Sequence, residues 1–242
     1  EPETGPEEES PAVPDLAARL DWIYPHRGAE RLPSKLTATE LKSLDGPDEE
    51  AAPLLPRTAR RFRKPELEGA GRRLDAAERG TAAHLALRSL DLGRIGSAAA
   101  ARAELDRLAA EGRLSPLEAG AVDAAALARF AASEIGRKIA SSPRVLREFP
   151  FALLCPAERF FPGAEGEELL LQGVVDCCLI EPDGAVIVDY KTDSIAPEAA
   201  PERAKRYAAQ LETYAWAVSR ITGLAVKAKI VYFLQPGEAV EL

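Results

Sequence analysis

Asp176, Asp189 and Lys191 are the residues of this chain best suited to chemistry. They sit in QGVVDCCLIEPDGAVIVDYKTD, residues 172–193, which reads as two apolar strands joined by a tight turn. A half-buried hairpin has no packing reason to carry an acid in each apolar run. Two carboxylates among Val, Ile, Leu and Cys are costly unless a cation sits between them. A divalent metal answers that need, and Lys191 adds a fixed positive charge beside it. Such a set suits metal-dependent cleavage of a phosphodiester. The plainer alternative is a partly exposed hairpin with an ordinary salt bridge between Lys191 and one aspartate.

The turn sets the expected geometry. In Glu181-Pro182-Asp183-Gly184, Pro fixes its own φ and Gly accepts φ > 0. If these four residues form the loop, Ile180 faces Ala185 and Asp176 lies opposite Asp189. Directly opposed side chains are roughly 4.5–5.5 Å apart at Cβ, a separation that lets two carboxylates share one ion. Side chains alternate along a strand, so Asp189 and Lys191 share a face. A turn centred on Asp183-Gly184 would shift this register.

Other elements must bring further groups to the hairpin. A helix over about 76–90 carries Gly80 and His84 four residues apart, on one face. His84 is either a satisfied core histidine or, beside two acids, an added metal ligand. A helix over about 202–222 presents Tyr207, Gln210 and Tyr214 on one face. Either the tyrosines are core aromatics, or Gln210 and Tyr214 reach the phosphate or orient Lys191. Arg203, Lys205 and Arg206 at its start contact phosphates or are simply solvated. Glu148 opens a strand within Arg147-Glu148-Phe149-Pro150-Phe151 and could orient the metal cluster.

Elsewhere the chain supplies a frame. Thr37 and Glu40 make a capping-box pattern for a short helix near 37–44. Ala-rich helices are expected at about 97–111 and 116–140, with Pro116 at the start of the second. A strand is expected at 148–154, a loop at 157–168, and hairpin strands at 169–180 and 185–191. Gly223 should end the helix over 202–222. A strand follows at 225–234, with another short one at the C-terminus. Residues 1–15 and 45–58 are acidic and Pro-rich, and read as a disordered start and a linker.

The 242 residues suit one large domain or a domain with an appendage. Residues 1–56 are expected to be an acidic, Pro-rich segment, and 57–242 a single catalytic-type domain. The net charge of −8 lies wholly in residues 1–56, and the rest is neutral. Seven bases, Arg57, Arg60, Arg61, Arg63, Lys64, Arg72 and Arg73, form a stretch that could hold phosphates or serve as a solvated linker. His26 lacks such a context. No apolar run approaches the ~20 residues of a membrane span. No Gly-Lys dipeptide occurs, so no P-loop and no ATP site are expected in this stretch. Cys155, Cys177 and Cys178 cannot hold a four-cysteine iron–sulfur cluster. The chain contains no methionine, which suggests a piece of a longer protein.

Gly80-x3-His84, Gly173-x2-Asp176, Asp189-Tyr190-Lys191-Thr192 and Gln210-x3-Tyr214 together resemble the ordered motifs of the RecB-family nucleases, of the PD-(D/E)xK superfamily. Residues 33–42, 78–84, 147–151, 188–193 and 221–223 are more closely similar to the C-terminal nuclease domain of the AddA family of helicase–nuclease subunits. The resemblance implies an α/β, restriction-endonuclease-like fold: a mixed central sheet flanked by helices, with additional N-terminal helices. It implies a metal held by His84, Asp176, Asp189 and the carbonyl of Tyr190. Mg²⁺ is expected, with Mn²⁺ as a substitute. Lys191 would position the attacking water and stabilise charge on the phosphate, with Gln210 and Tyr214 as accessory residues. The implied substrate is DNA, as single strands or unwound duplex ends, in the bacterial cytoplasm. The implied partners are a helicase region of the same polypeptide and an AddB-like subunit. A non-catalytic DNA-binding module on this fold, or a free-standing RecB-like nuclease, are the alternatives.

Overall fold

The computed structural model describes residues 32–38, 40–41 and 73–242. The expectations for 1–15, His26, the linker at 45–58 and the bases from Arg57 to Arg72 lie outside them. Six strands form one mixed sheet: β1 (Lys35–Thr37), β2 (Val145–Pro156), β3 (Glu168–Glu181), β4 (Gly184–Lys191), β5 (Val226–Phe233) and β6 (Glu238–Glu241). Seven α-helices accompany it among the described residues: α1 (Ala76–Ser89), α2 (Ala98–Ala110), α3 (Pro116–Ala121), α4 (Ala124–Ala132), α5 (Glu134–Ser141), α6 (Ala200–Lys205) and α7 (Ala208–Thr222). This is the expected α/β architecture.

Alternation along β3 and β4 builds two cores. Cys177, Leu179, Val186, Val188 and Tyr190 face α1–α5 with Leu87, Leu105 and Phe130. Cys178, Ile180, Ala185 and Ile187 face the other way, against Tyr214, Ala217 and Val218 of α7. Adjacent Cys177 and Cys178 thus serve opposite cores as small apolar residues, both free thiols. With both faces covered, the central strands read as continuous apolar runs.

Local chemistry fixes the helices around the site. Asp75 and Glu78 close a capping box at the start of α1. At its end the Arg147 guanidinium donates to the carbonyls of Leu87 and Leu90, tying α1 to β2. The helix expected at 116–140 is three helices. Asp123 caps α4 and Ser133 caps α5, each side chain accepting a backbone N–H inside its helix. The helix expected at 202–222 is two, interrupted at Arg206 and Tyr207, where the Tyr207 hydroxyl is drawn to the Asp193 carboxylate. Gly223 ends α7 with φ 72°, as its residue type led one to expect.

Strand β1 changes the expected division of the chain. It pairs in parallel with Leu170–Gln172 of β3, and Leu36, Ala38 and Leu41 are buried beside it. The Thr37–Glu40 capping box forms, with backbone-to-side-chain bonds of 2.8 and 3.2 Å. Residues 32–38 and 40–41 therefore belong to the same folded body as the hairpin rather than to a separate segment.

The topology opens a window at β3. Strand β2 runs along one edge of β3 from Val145↔Leu179 to Pro156↔Glu168. Strands β4 and β1 share the other edge: β4 pairs with 177–181 and β1 with 170–172. Between them, residues 173–176 have no ladder partner on that side among the described residues, and the window ends at Asp176.

Candidate active site

The hairpin turns on Pro182-Asp183, with the expected Ile180↔Ala185 register. The last ladder pair is Cys177↔Val188, one step short of the two acids. The expected direct pairing of Asp176 with Asp189 is replaced by a side-chain contact. Asp176 Oδ2 accepts the Tyr190 N–H at 2.9 Å, and β4 continues alone alongside β5.

His84 and Glu148 reach Asp176 from elements on either side. His84 Nδ1 stands 3.2 Å from Asp176 Oδ1 and 3.4 Å from Glu148 Oε1. It is buried, and neither contact has the alignment of a hydrogen bond. Glu148 has φ 49°, a left-handed conformation that a residue with a Cβ adopts at a cost of about 1–3 kcal/mol. It faces Asp176 in register, yet the β2–β3 ladder omits that pair between Arg147↔Cys177 and Phe149↔Val175. The backbone is twisted at the residue whose carboxylate joins the cluster.

The second half of the site gathers around Lys191. Its ammonium lies 2.7 Å from Asp189 Oδ2 and 3.5 Å from Gln210 Oε1. Gln210 Nε2 donates to the Tyr214 hydroxyl at 2.7 Å. The Tyr214 ring packs edge-on against Phe151, and both crowd Gly173, where a Cβ would fall 2.6 Å from the Phe151 ring. Glycine in Gly173-x2-Asp176 is thus a packing requirement. At Gly80 a Cβ would lie 3.3 Å from the Thr192 hydroxyl, so α1 passes close to the end of β4.

Burial and charge compete in this cluster. Burial alone would lower the His84 pKa, but the Asp176 and Glu148 carboxylates outweigh it and push it up to about 10. Burial raises Asp189 to about 6, helped by the charge of Asp176 and opposed by Lys191. Burial acts on Asp176 too, but His84, Lys191 and the Tyr190 N–H hold it below its ordinary value. Lys191 is kept charged above its usual range because Asp189 and Asp176 overcome its desolvation.

A family model described as the PD-(D/E)XK nuclease superfamily matches residues 54–241. The chain belongs to this superfamily. It is also similar to ATP-dependent helicase/nuclease subunits of the AddA type. The identity is 36% with the protein of Acetivibrio thermocellus, over 96% of this chain and 19% of the relative. For Desulforudis audaxviator it is 37%, over 91% and 18%. For Moorella thermoacetica it is 38%, over 92% and 16%. The chain spans about a fifth of the length of the curated relatives it matches. The resemblance carried by its motifs is thereby borne out.

In this PD-(D/E)XK member, Asp189-Tyr190-Lys191 has the acid–x–Lys spacing that the superfamily's name describes. The donor set fits a divalent cation. His84, Glu148 and Asp176 each offer a ligand atom within 4.8 Å of the others. Ligands around a small oxygen-seeking cation are about 3 Å apart, close to the His84 contacts. His84 Nδ1 and Asp189 Oδ1 are buried without a hydrogen-bond partner among the described residues. Once His84 gives up its proton to act as a ligand, three carboxylates against one lysine leave two negative charges, which balances one such ion. Of the expected site residues, Asp176, His84 and Glu148 form one group, and Asp189, Lys191, Gln210 and Tyr214 the other. The side chain of Tyr190 turns into the helical core against Phe130, with its ring edge-on to His84 at 6.3 Å, while its backbone N–H serves Asp176.

Asp193 is the residue of the site that the sequence reading did not single out. It is buried and accepts from Arg203 Nε at 2.6 Å and from the Tyr207 hydroxyl at 3.1 Å. Arg203 is thus committed to an internal partner rather than left for phosphate. The signal was present in the sequence: Asp189, Lys191 and Asp193 follow at two-residue intervals, the spacing of one strand face.

Proposed function

We propose that this chain is a metal-dependent deoxyribonuclease domain, an exonuclease hydrolysing phosphodiester bonds at DNA ends. The observation that carries this reading is the set of two buried and one partly buried carboxylates with one lysine and one histidine, which keeps a surplus of two negative charges when His84 is neutral. His84, Asp176, Asp189 and the Tyr190 carbonyl would hold Mg²⁺ or Mn²⁺, with Glu148 closing the group on its outer side. The ion supplies Lewis acidity and a more acidic bound water. Lys191 orients the attacking water and meets the charge that develops on the phosphate. Gln210, fixed by Tyr214, limits where the ammonium can go.

The similarity to helicase/nuclease subunits supports a setting in double-strand break repair. A helicase region of the same polypeptide and an AddB-like partner would deliver an unwound strand. Delivery matters because residues 57–242 are electrically neutral, and unaided DNA binding rests mainly on cationic contacts. Tethering raises the strand's effective concentration without new contacts.

The deciding experiment is a cleavage assay of the 242-residue chain on labelled single-stranded and duplex ends, with Mg²⁺ and with EDTA. Cleavage that needs the metal and vanishes in Asp189→Ala is expected. Full activity in EDTA would overturn the reading. DNA binding without cleavage would favour a scaffold role.

A further inference from the structure

Lys191 has a third neighbour besides Asp189 and Gln210. Its ammonium lies 4.5 Å from the centroid of the Tyr207 ring. That ring is 1% exposed. Its hydroxyl is bonded to both oxygens of Asp193 at 3.1 Å, and Asp193 is itself gripped by Arg203. Phe233 packs behind it at 6.2 Å. Tyr207 also marks the break between α6 and α7. The interruption and the contact with Lys191 thus fall at the same residue.

We infer that Tyr207 is a positioning residue for Lys191, its ring face holding the ammonium while Asp193 and Arg203 hold the ring. A lysine side chain has a flexible four-carbon stem and large rotamer freedom. Asp189 and Gln210 alone restrain the ammonium in one plane. The aromatic face closes a third side through cation–π attraction, which strengthens when the partners are desolvated. The order is installed before substrate arrives, so none is lost at the moment of reaction. The inference rests on the nuclease reading for its catalytic consequence, but not for the contact itself.

The test compares Tyr207→Phe with Tyr207→Leu in the 242-residue chain. Phenylalanine keeps the ring, whereas leucine keeps apolar bulk without a π face. With Mg²⁺ and single-stranded DNA, kcat should fall about tenfold in Tyr207→Leu at unchanged KM. Tyr207→Phe, which keeps the π face but loses the hydroxyl that Asp193 holds, should fall by less, about threefold. NMR of selectively ¹³C-labelled lysine gives a readout independent of activity. The Lys191 ε-methylene protons should be shifted upfield by the ring in the parent and in Tyr207→Phe, and should lose that shift in Tyr207→Leu. A Lys191 signal with no upfield shift in the parent, or a Tyr207→Leu enzyme with parental kcat, would overturn the inference. If Tyr207→Leu does not fold, Asp193→Asn loosens the ring instead. A parental shift and rate in that variant would overturn the part given to Asp193. If the parent does not cleave DNA, the nuclease reading falls, while the NMR comparison still decides the contact.

Discussion

Asp176 and Asp189 are the same residue type, both buried, on neighbouring strands, yet they live in opposite surroundings. Asp176 has a backbone N–H on one oxygen and a histidine beside the other, and stays ionised below the usual carboxylate range. Asp189 has one lysine and an oxygen with no donor among the described residues, and burial raises its pKa. Under the proposed function the first would be an anchored ligand, and the second would divide its charge between Lys191 and the bound cation. The contrast shows how one sheet gives the same chemical group two electrostatic settings, one for an ionised carboxylate and one for a carboxylate with a raised pKa. The ladder break between Cys177↔Val188 and Asp176 is what separates them.

The largest test of this division is Lys191→Ala against Asp176→Ala. Both should cut cleavage by about a thousandfold or more. Only Asp176→Ala should also abolish metal binding in calorimetry. Equal metal affinity in the two variants would erase the distinction.

His84 offers the next effect. His84→Ala should weaken Mg²⁺ binding by about a hundredfold, with little change in the melting temperature of the metal-free protein. A large loss of metal-free stability at unchanged affinity would make His84 a core residue instead. The pH dependence follows from the same group. Its folded pKa lies above its unfolded one, so the proton on His84 stabilises the metal-free fold below pH 6.5, and that contribution is lost as pH rises toward about 10. Metal competes with that proton. Affinity should therefore tighten by up to about tenfold per pH unit between about pH 7 and 9, and this slope should flatten in His84→Ala.

Smaller still is Gly173→Ala. Its Cβ overlaps the Phe151 ring and presses on Tyr214, two contacts upstream of Lys191. A loss of about 1–3 kcal/mol in chemical denaturation is expected, with reduced cleavage rate and unchanged metal affinity. The finest test is at Glu148. Both Glu148→Gly and Glu148→Ala should weaken metal binding. The glycine variant should be about 1 kcal/mol more stable than the alanine variant, because φ 49° costs glycine nothing.

The hairpin was readable because its turn chemistry is local. Pro182-Asp183 fixed the register, and the register brought both acids to one end of the strands. The caps at Thr37, Pro116 and Gly223 were readable for the same reason. The breaks at Asp123 and Ser133 were hidden because alanine-rich periodicity runs through them, although both are good capping types. The break at Tyr207 is set by Asp193, fourteen positions upstream, and no local propensity reports it. The left-handed turn of the backbone at Glu148 also has no local signature. The motifs named the participants, while tertiary contacts decided which acid paired with which cation.

Strand β1 has a kinetic meaning. Its three residues reach β3 across a separation of 135 positions, from Lys35 to Leu170. Contacts so distant in sequence close late, after helices and hairpins that need only local order. The hairpin with its acids can therefore form before the window beside Asp176 acquires its far wall. Refolding followed by a probe on β1 should lag behind one on β4, leaving an interval in which the acids are assembled on a sheet that is still open along one edge.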